Sequence, residues 1–272
     1  MTQLFSLEGK TVLITGAGGI LGSEYVKTCL EAGGNVAILE IAEERLETLT
    51  DEMARLHGAD RVLGIKCDCG DEDEIVAAFA QTRDRFGAID VVVNNATAPI
   101  DTAQAFFAPL TEFSLKEWRR QNEVNFDGCF LVAREAVKAF LAKPETGGSL
   151  IQISSIMGLM GHDKRIYEGA EYEGNAINTP VAYAAAKAGV LGLMRWIAVE
   201  YADKGIRSNA IAPGGVSSGQ NAEFMGRYGA RIPMGRMGER GELPGAMLYF
   251  ASDASSYVTG QCLLVDGGLS AW

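Results

Sequence analysis

A tyrosine and a lysine stand four residues apart in the segment YAAAK, as Tyr183 and Lys187. On a helix this spacing places both side chains on one face, so the phenol lies beside a permanent cation. The positive charge favours phenolate over phenol, and such a tyrosine can donate or accept a proton at a hydroxyl or carbonyl oxygen. The pair alone is weak support for catalysis, because the same spacing arises by chance on exposed helices. Its meaning depends on the segments around it.

A glycine-rich segment near the N-terminus supplies the first of these. The β-branched run 10–15 precedes GAGGILG, residues 16–22, and a helical pattern continues over residues 23–32. Strand, glycine turn and helix in this order are typical of a dinucleotide-binding unit. The glycines let the backbone approach a pyrophosphate closely, and the helix start offers free N–H groups to it. The alternative is a glycine-rich turn that binds nothing.

The next predicted strand, 35–40, ends in Glu40. In a dinucleotide-binding unit, a carboxylate about 20 residues past the turn accepts a hydrogen bond from a ribose 2′-hydroxyl. A carboxylate there also repels a 2′-phosphate, and the segment EIAEERL carries more acid than base. We therefore predict NAD rather than NADP as the cofactor. The alternative is that Glu40 only precedes an acidic helix start at Ala42.

Further segments follow in a fixed order: NNA at 94–96, EVN at 123–125, ISS at 153–155, RSNAIAPGG at 207–215 and VTGQCLLVDGG at 258–268. Together with the glycine turn and YAAAK, they make the chain resemble the short-chain dehydrogenase/reductase family over residues 7–269. The resemblance implies an α/β Rossmann fold, with a doubly wound parallel seven-stranded sheet and helices on both faces. It also implies a single nucleotide-binding domain over residues 1–272, a small-molecule substrate, and a homotetramer or homodimer.

The resemblance also assigns catalytic roles. Tyr183 is expected to be the general acid/base, Lys187 to stabilise its phenolate, and Ser155 to hydrogen-bond the reacting oxygen. Asn125 is expected to hold a water that links Lys187 to solvent, the alternative being an asparagine that only bends its helix. A different class of function, a nucleotide-binding protein without turnover, is disfavoured because all four residues are present.

Contacts to the cofactor are implied for residues of several motifs. Asp68 and Cys69 are expected beside the adenine, Asn95 and Ala96 at the adenosine ribose, and Ser218 at a phosphate, although an ordinary loop serine is the alternative for Ser218. The full expected set is Gly16, Gly18, Gly19, Ile20, Leu21, Glu40, Asp68, Cys69, Asn95, Ala96, Tyr183, Lys187, Pro213, Gly214, Val216 and Ser218.

The chain departs from the family pattern in three places. Ile20 replaces the middle glycine of the turn, and we expect Gly18 and Gly19 to supply the flexibility instead. Thr97 replaces the glycine after NNA, which adds bulk near the nicotinamide. Ser155 and Tyr183 are 28 positions apart, much farther than the family pattern implies. An insertion of about residues 163–179 is therefore expected beside the active site.

The insertion gives the best sequence clue to the substrate, since loops on a rigid scaffold commonly carry specificity. Its hydroxyl, amide and carboxylate groups favour a polyol or sugar-like substrate, and RIYEG resembles a subgroup of bacterial surface-sugar and flagellin-glycan enzymes. The alternatives are a solvated loop, an oligomer contact, or a general small-ketone dehydrogenase. The polar residues are Lys164, Arg165, Tyr167, Glu168, Glu171, Tyr172, Glu173, Asn175 and Asn178.

A second segment, about 217–238, resembles the mobile lid that closes over substrate in this family. It carries Arg227, Arg231 and Arg236, which could meet an anionic group of the substrate or form a solvated basic face.

Composition limits the function classes. The 272 residues are 47% hydrophobic and 22% charged, as expected for one folded α/β domain. The net charge of −11 argues against nucleic acid or an anionic membrane as a partner. Apolar runs look strand-length, and the opening stretch MTQLFSLEGK is too short and mixed for a leader, so we expect a cytoplasmic protein. Two histidines and five cysteines without metal spacing predict reduced thiols and no metal site.

Alternating apolar segments predict the order of elements. Near-continuous apolar strands such as IDVVVNN indicate burial on both faces and hence a parallel sheet. Strands are predicted at 10–15, 35–40, 61–66, 89–94, 149–154, 206–211 and 261–265, and helices at about 20–33, 42–57, 71–85, 114–141, 180–203 and 241–252.

Overall fold

Short apolar runs form the strands of this protein, seen here in a computed structural model that describes residues 3–143 and 145–272. Residues 1–2, which begin the stretch predicted to be too short for a leader, lie outside the described residues. The strands are β1 Thr11–Thr15, β2 Asn35–Glu40, β3 Val62–Lys66, β4 Val91–Asn94, β5 Gly148–Ile153, β6 Glu171–Tyr172, β7 Asn175–Ala176, β8 Ile206–Pro213 and β9 Cys262–Val265.

Seven of these strands form one sheet in the order β3-β2-β1-β4-β5-β8-β9, with every pairing parallel. The predicted doubly wound parallel sheet is confirmed, and each of its strands lies within two residues of its predicted ends. The strand order reverses between β1 and β4. Loops that leave the carboxyl ends of strands diverge at such a point, and the crevice between them is where α/β proteins bind ligands.

Helices cover both faces of the sheet, as predicted. One core packs α1, α2 and α9 against it, and a second core packs α3, α6 and α7 against the opposite face. The helices are α1 Ile20–Glu31, α2 Glu43–His57, α3 Glu72–Phe86, α4 Ala103–Phe106, α5 Leu115–Asn122, α6 Cys129–Leu141, α7 Val181–Glu200, α8 Ala222–Gly229 and α9 Pro244–Ala251.

The single helix predicted over 114–141 is wrong in one respect. A π-helical turn, Glu123–Gly128, separates α5 from α6. Gly128 passes so close to the loop after β3 that an added Cβ would lie 2.2 Å from the carbonyl oxygen of Cys69. Hydrophobic periodicity does not reveal such a widened turn, which is frequently found at functional sites. Asn125 lies inside it.

The expectation that apolar runs are only strand-length also needs correction. Helix α7 has 20 residues and is long and apolar enough to cross a membrane by length and composition alone. One side of it is buried against the sheet through Leu191, Met194 and Ile197, as in the core helix of a folded domain.

Candidate active site

The glycine turn between β1 and α1 has one glycine with a left-handed conformation. Gly16 has φ +58°, and a Cβ there would lie 2.9 Å from Cα of Ala96. Gly18 and Gly19 do not adopt positive φ, so the prediction that they supply this flexibility in place of residue 20 is wrong. Ile20 fits because its side chain is 50% exposed at the first position of α1.

Gly18 and Gly22 are needed for space instead. A Cβ at Gly18 would lie 2.9 Å from both the Glu40 carboxylate and Cβ of Arg45. A Cβ at Gly22 would lie 2.4 Å from the carbonyl oxygen of Gly16, so this glycine lets α1 start directly on the turn. Leu21, the second residue of α1, is partly buried against the core.

The start of α1 is open to an anion. Gly19 is its N-cap, and no side chain accepts a hydrogen bond there. Asn95 and Ala96, at the end of β4, hold the turn in place: Asn95 Nδ2 donates to the carbonyl oxygens of Thr15 and Gly16 at 3.0 and 3.1 Å. The N–H of Ala96 donates to Oγ1 of Thr15 at 3.1 Å. Both residues therefore border the crevice where the resemblance places the adenosine ribose.

Glu40 is 5% exposed at the end of β2 and joins two backbone segments. Its Oε2 accepts the N–H of Gly18 at 2.9 Å, and its Oε1 accepts the N–H of Ala42 at 3.0 Å. Each carboxylate oxygen retains a second acceptor position. Glu40 thus fixes the glycine turn and can still accept a hydrogen bond from a ribose hydroxyl.

Asp68 and Cys69 lie in the loop after β3, the strand that neighbours β2 in the sheet. Oδ1 of Asp68 accepts the N–H of Gly70 at 2.8 Å, which fixes a turn and leaves the other carboxylate oxygen available. A hydrogen bond with the Cys67 thiol, together with burial, raises the pKa of Cys69 well above its ordinary value. The Cys69 thiol is therefore protonated and unreactive at neutral pH.

Tyr183 and Lys187 lie in the first two turns of α7. Lys187 is 1% exposed, and its Nζ donates to the carbonyl oxygen of Ile153 at 2.8 Å. The same Nζ lies 5.6 Å from the centroid of the Tyr183 ring. The ammonium is thus held at the carboxyl end of β5, next to the phenol, as the four-residue spacing predicted.

Ser155 follows β5 on the same edge and is buried. Its Oγ accepts the N–H of Met157 at 3.2 Å, while the hydroxyl of Ser154 donates to the carbonyl oxygen of Lys187 at 2.8 Å. A Cβ on Gly158 would lie 2.6 Å from the Lys187 carbonyl group, so a glycine is required for this close approach of strand end and helix. The segment after β5 therefore fixes the serine and α7 relative to each other.

Asn125 is buried in the π-helical turn between α5 and α6. Its Oδ1 accepts the N–H of Ala98 at 2.8 Å, which ties the loop after β4 to this turn. The turn packs directly on α7, because a Cβ on Gly189 would lie 2.6 Å from the Phe126 ring. Asn125 therefore does more than bend a helix, because its side chain links the π-helical turn to the loop after β4.

The loop after β8 forms the other side of the crevice. Pro213 ends β8, the N–H of Gly214 donates to the carbonyl oxygen of Val265 at 2.9 Å, and Val216 pairs with Gly238 in a short parallel bridge. Ser218 is exposed, and its Oγ accepts a hydrogen bond from Gln220 Nε2 at 2.9 Å. Its predicted contact with a phosphate stays a prediction.

The insertion is folded. It contains a 3₁₀ turn, Lys164–Tyr167, and the hairpin β6–β7, whose loop residues Glu173 and Gly174 both have positive φ. Its buried side chains are apolar, and its charged ones other than the half-buried Asp163 are exposed, so polar composition alone does not report on the substrate. The apolar residues pack with α8 in one cluster, which contains Ile156, Ile166, Ala170, Phe224, Tyr228, Ile232, Met237 and Leu269, with Met157, Tyr167, Ile177 and Met225 partly buried on it.

This contact joins the insertion to the segment predicted to be a lid. Arg231 Nε lies 3.0 Å from Oδ2 of Asp163, across the two segments. Hydrogen bonds from Arg165, supported by the charge of Arg231, lower the pKa of Asp163 to about 2, so the pair stays ionised at working pH. The alternative of a merely solvated loop is therefore wrong, because the insertion is packed against the segment predicted to be a lid.

The lid arginines each have a carboxylate partner within the protein. Arg227 pairs with Glu223 at 2.7 Å, and Arg236 makes two hydrogen bonds to Glu242 at 2.7 and 2.8 Å. Arg231 pairs with Asp163. Because all three guanidinium groups already have a carboxylate partner, they give no reason to expect an anionic group on the substrate.

Sequence reasoning missed two residues next to this site. Arg45 lies beside Gly18, close to Glu40. Its position in an acidic helix gave no indication that it would lie near the predicted cofactor site. Tyr228, on the inner face of α8, lies against Gly215 in the loop after β8. Its spacing of four from Phe224 marks a shared helix face and could have indicated it.

The residues fit a dinucleotide. The turn at Gly16, the uncapped start of α1, the carboxylate of Glu40 and the loop after β8 all lie at the carboxyl edge of the sheet. A phenol, an ammonium and a serine hydroxyl lie at the same edge, after β5 and on α7. Such an arrangement can move a proton at an oxygen while a neighbouring carbon exchanges a hydride.

Comparison with known proteins gives relatives of the same size. A family model described as enoyl-(acyl carrier protein) reductase matches residues 16–270. The chain is 33% identical over 272 residues to a 2,5-dichloro-2,5-cyclohexadiene-1,4-diol dehydrogenase from Sphingobium indicum, covering 97% of this chain and 98% of the relative. It is 35% identical over 266 residues to a trans-4-hydroxycyclohexanecarboxylate dehydrogenase from Sinomonas cyclohexanicum, covering 96% and 93%.

A solved structure has the same overall fold. The gluconate 5-dehydrogenase from Burkholderia cenocepacia J2315, in complex with NADP and tartrate, superposes with a TM-score of 0.85 at 31% identity, covering 99% of this chain and 98% of that one.

Proposed function

The chain belongs to the short-chain dehydrogenase/reductase family and is an oxidoreductase that acts on CH–OH groups, and we propose that it transfers a hydride between NAD(H) and a secondary alcohol or ketone. The observation that carries the proposal is the buried ammonium of Lys187, which is fixed by Ile153 and lies 5.6 Å from the Tyr183 ring. An ammonium in the core is costly unless a function or a partner retains it.

The proposed mechanism divides the work among four residues. Oη of Tyr183 donates a proton to the ketone oxygen in reduction and accepts it from the alcohol in oxidation. Ser155 Oγ hydrogen-bonds the same oxygen and orients it, and Lys187 favours the phenolate form of Tyr183. Asn125 is proposed to hold a water through which the proton is replaced. The bound nicotinamide supplies or accepts the hydride.

NAD is proposed as the cofactor on the strength of Glu40. Its carboxylate is fixed by Gly18 and Ala42 at the point where the resemblance places the adenosine ribose. A 2′-phosphate there would face a like charge. The Burkholderia neighbour was solved with NADP, so the two cofactors must be compared directly on this protein.

For the substrate we propose a small, hydroxylated six-membered carbon ring. The two relatives described above are named for a cyclohexadiene-1,4-diol and a 4-hydroxycyclohexanecarboxylate. Both compounds are six-membered carbon rings with oxygen-bearing groups on two opposite ring carbons. The insertion and the lid segment meet in an apolar cluster that contains Ile166 and Met237, together with Ile156, which directly follows Ser155. We propose that this cluster backs the wall of the substrate pocket. An apolar wall favours a carbon ring over a fully hydroxylated chain.

A second candidate is an open-chain or sugar-like polyol, which the gluconate 5-dehydrogenase neighbour favours. The role in bacterial surface-sugar or flagellin-glycan synthesis, suggested by RIYEG, belongs to this candidate and stays a hypothesis.

One assay separates the candidates. The protein is incubated with NAD and, in turn, cyclohexane-1,4-diol, cyclohexanol, gluconate and glucitol, and NADH absorbance is followed. We expect kcat/KM for the ring diol to exceed that for either open-chain substrate by about tenfold or more, because only the ring fills an apolar pocket. A higher value for gluconate or glucitol would favour the second candidate. No turnover of any of the four would contradict the substrate class altogether.

We further propose that the protein acts in the cytoplasm as a homotetramer. Large apolar side chains are exposed on α6 and α7, among them Phe130, Trp196 at 59% exposure and Val199. Trp196 and Val199 are three residues apart and share a face of α7, and an exposed apolar face of this kind marks an interface. The prediction is that light scattering gives four times the 29.0 kDa chain mass, and that Trp196→Glu gives a smaller species. A wild-type monomer, or an unchanged mass for the variant, would contradict it.

A further inference from the structure

Tyr228 lies on the inner face of α8 and is 5% exposed. One turn earlier, Phe224 occupies the same face, and the two ring centroids are 5.8 Å apart. The other neighbours in this cluster include Ile156, which directly follows Ser155, and Met237. The lid helix therefore brings a phenol into an otherwise apolar wall beside the proposed reacting centre.

The position of this phenol is fixed by the loop after β8. A Cβ on Gly215 would lie 2.6 Å from both Cε1 and Cζ of Tyr228, so the ring rests directly on the glycine. Gly215 follows Pro213 and Gly214, which are expected to border the nicotinamide carboxamide. The end of the ring that carries the hydroxyl is thus held at the side of the crevice where hydride transfer is proposed.

The Tyr228 hydroxyl remains a donor at working pH. Burial, together with the neighbouring Tyr167 and Tyr183 phenols, raises the pKa of Tyr228 to about 12. The backbone N–H of Gly215 faces its oxygen. No described residue accepts a hydrogen bond from this hydroxyl, whereas the Tyr167 hydroxyl is paired with Oγ1 of Thr179 at 2.8 Å. The hydroxyl can therefore donate to a group that enters from outside the protein, and a donor held among apolar side chains is favoured by such an acceptor.

We propose that the Tyr228 hydroxyl donates a hydrogen bond to a second oxygen of the substrate, on a ring carbon other than the one that exchanges hydride. Tyr228 is then a specificity-determining residue, which selects ring diols and hydroxyketones over rings with one oxygen. This inference rests on the proposed function, because it requires a ring alcohol bound between Tyr183 and α8. The inference adds to that function the protein group that recognises the end of the substrate that does not react.

The test compares two ring alcohols that differ only in the second oxygen. With NAD saturating, kcat/KM is measured for cyclohexane-1,4-diol and cyclohexanol in the wild type, in Tyr228→Phe and in Tyr167→Phe. We expect Tyr228→Phe to lower kcat/KM for the diol by about tenfold and for cyclohexanol by less than about twofold. The ratio of the two values should stay near wild type in Tyr167→Phe, since that hydroxyl is already paired.

The outcomes separate the inference from the function it rests on. Equal loss on both alcohols in Tyr228→Phe, or a wild type that does not prefer the diol, would overturn the inference and leave ring-alcohol oxidation standing. Wild-type protein that oxidises neither alcohol would overturn both. Thermal unfolding and NADH titration report whether the variant keeps its fold and its cofactor site. Tyr228→Met also lacks the donor, and it takes the same assay if the phenylalanine variant does not fold.

Discussion

Tyr183→Phe should lower kcat by about a thousandfold while the dissociation constant for NADH stays within about threefold of wild type. The substitution removes only the hydroxyl that is proposed to exchange a proton with the substrate oxygen. The ring remains, so the packing of the first turns of α7 is retained, and Lys187 keeps its hydrogen bond to Ile153. We therefore expect the variant to lose turnover while it keeps its affinity for NADH.

The measurement is steady-state NADH absorbance with the best substrate, paired with a fluorescence titration of NADH. Tyr201→Phe provides a matched control, because it removes the same hydroxyl at the far end of the same helix. That variant should keep wild-type kcat. More than a tenth of wild-type activity in Tyr183→Phe would show that another group moves the proton. A large loss of NADH affinity would instead place Tyr183 chiefly in cofactor binding.

Much of this architecture could be predicted because its signals are local. The strands are apolar on both faces, which only a covered parallel sheet produces, and the spacing of Tyr183 and Lys187 fixes a shared helix face whatever the tertiary structure. The glycine turn was predicted as a unit from its place between a strand and a helix, and in the structure Gly16 is the glycine of that turn with the left-handed conformation. The motifs also occur in one order, so each supported the interpretation of the others.

The parts that could not be predicted depend on contacts between distant segments. The π-helical turn around Asn125 adds space that periodicity cannot show, and it is stabilised by the N–H of Ala98, far along the chain. The insertion looked polar because its charged residues outnumber the few apolar ones that α8 buries, such as Ile166 and Ala170. Gly18 was thought to be flexible, yet it is required because two side chains approach it.

The same contacts explain how substrate selection and catalysis can be separated in this chain. The proposed acid/base and its lysine are anchored to β5, in the rigid sheet. The proposed selector, Tyr228, is carried by α8 and joined to the insertion through the apolar cluster and the pair of Asp163 with Arg231. Changes in the insertion should therefore alter KM and substrate preference before they alter proton transfer.

Glu40→Gln should reduce the preference for NADH over NADPH by about a hundredfold, measured as the ratio of dissociation constants. Glutamine has nearly the same shape and keeps one carbonyl oxygen for the N–H of Gly18 or of Ala42, but it removes the charge that a 2′-phosphate would meet. Arg45, in the first turn of α2 with its Cβ beside Gly18, is then a cation that could approach the phosphate.

The two halves of this ratio are expected to move in opposite directions. NADH should bind more weakly, because one of the two backbone N–H groups now loses its acceptor and the ribose loses a charged one. NADPH should bind more tightly, because repulsion is removed. Glu44→Gln, an equal change of charge on an exposed residue in the first turn of α2, should leave the ratio near wild type. Wild-type protein that binds NADPH more tightly than NADH would refute the role given to Glu40, because its carboxylate would then tolerate the phosphate it is proposed to exclude.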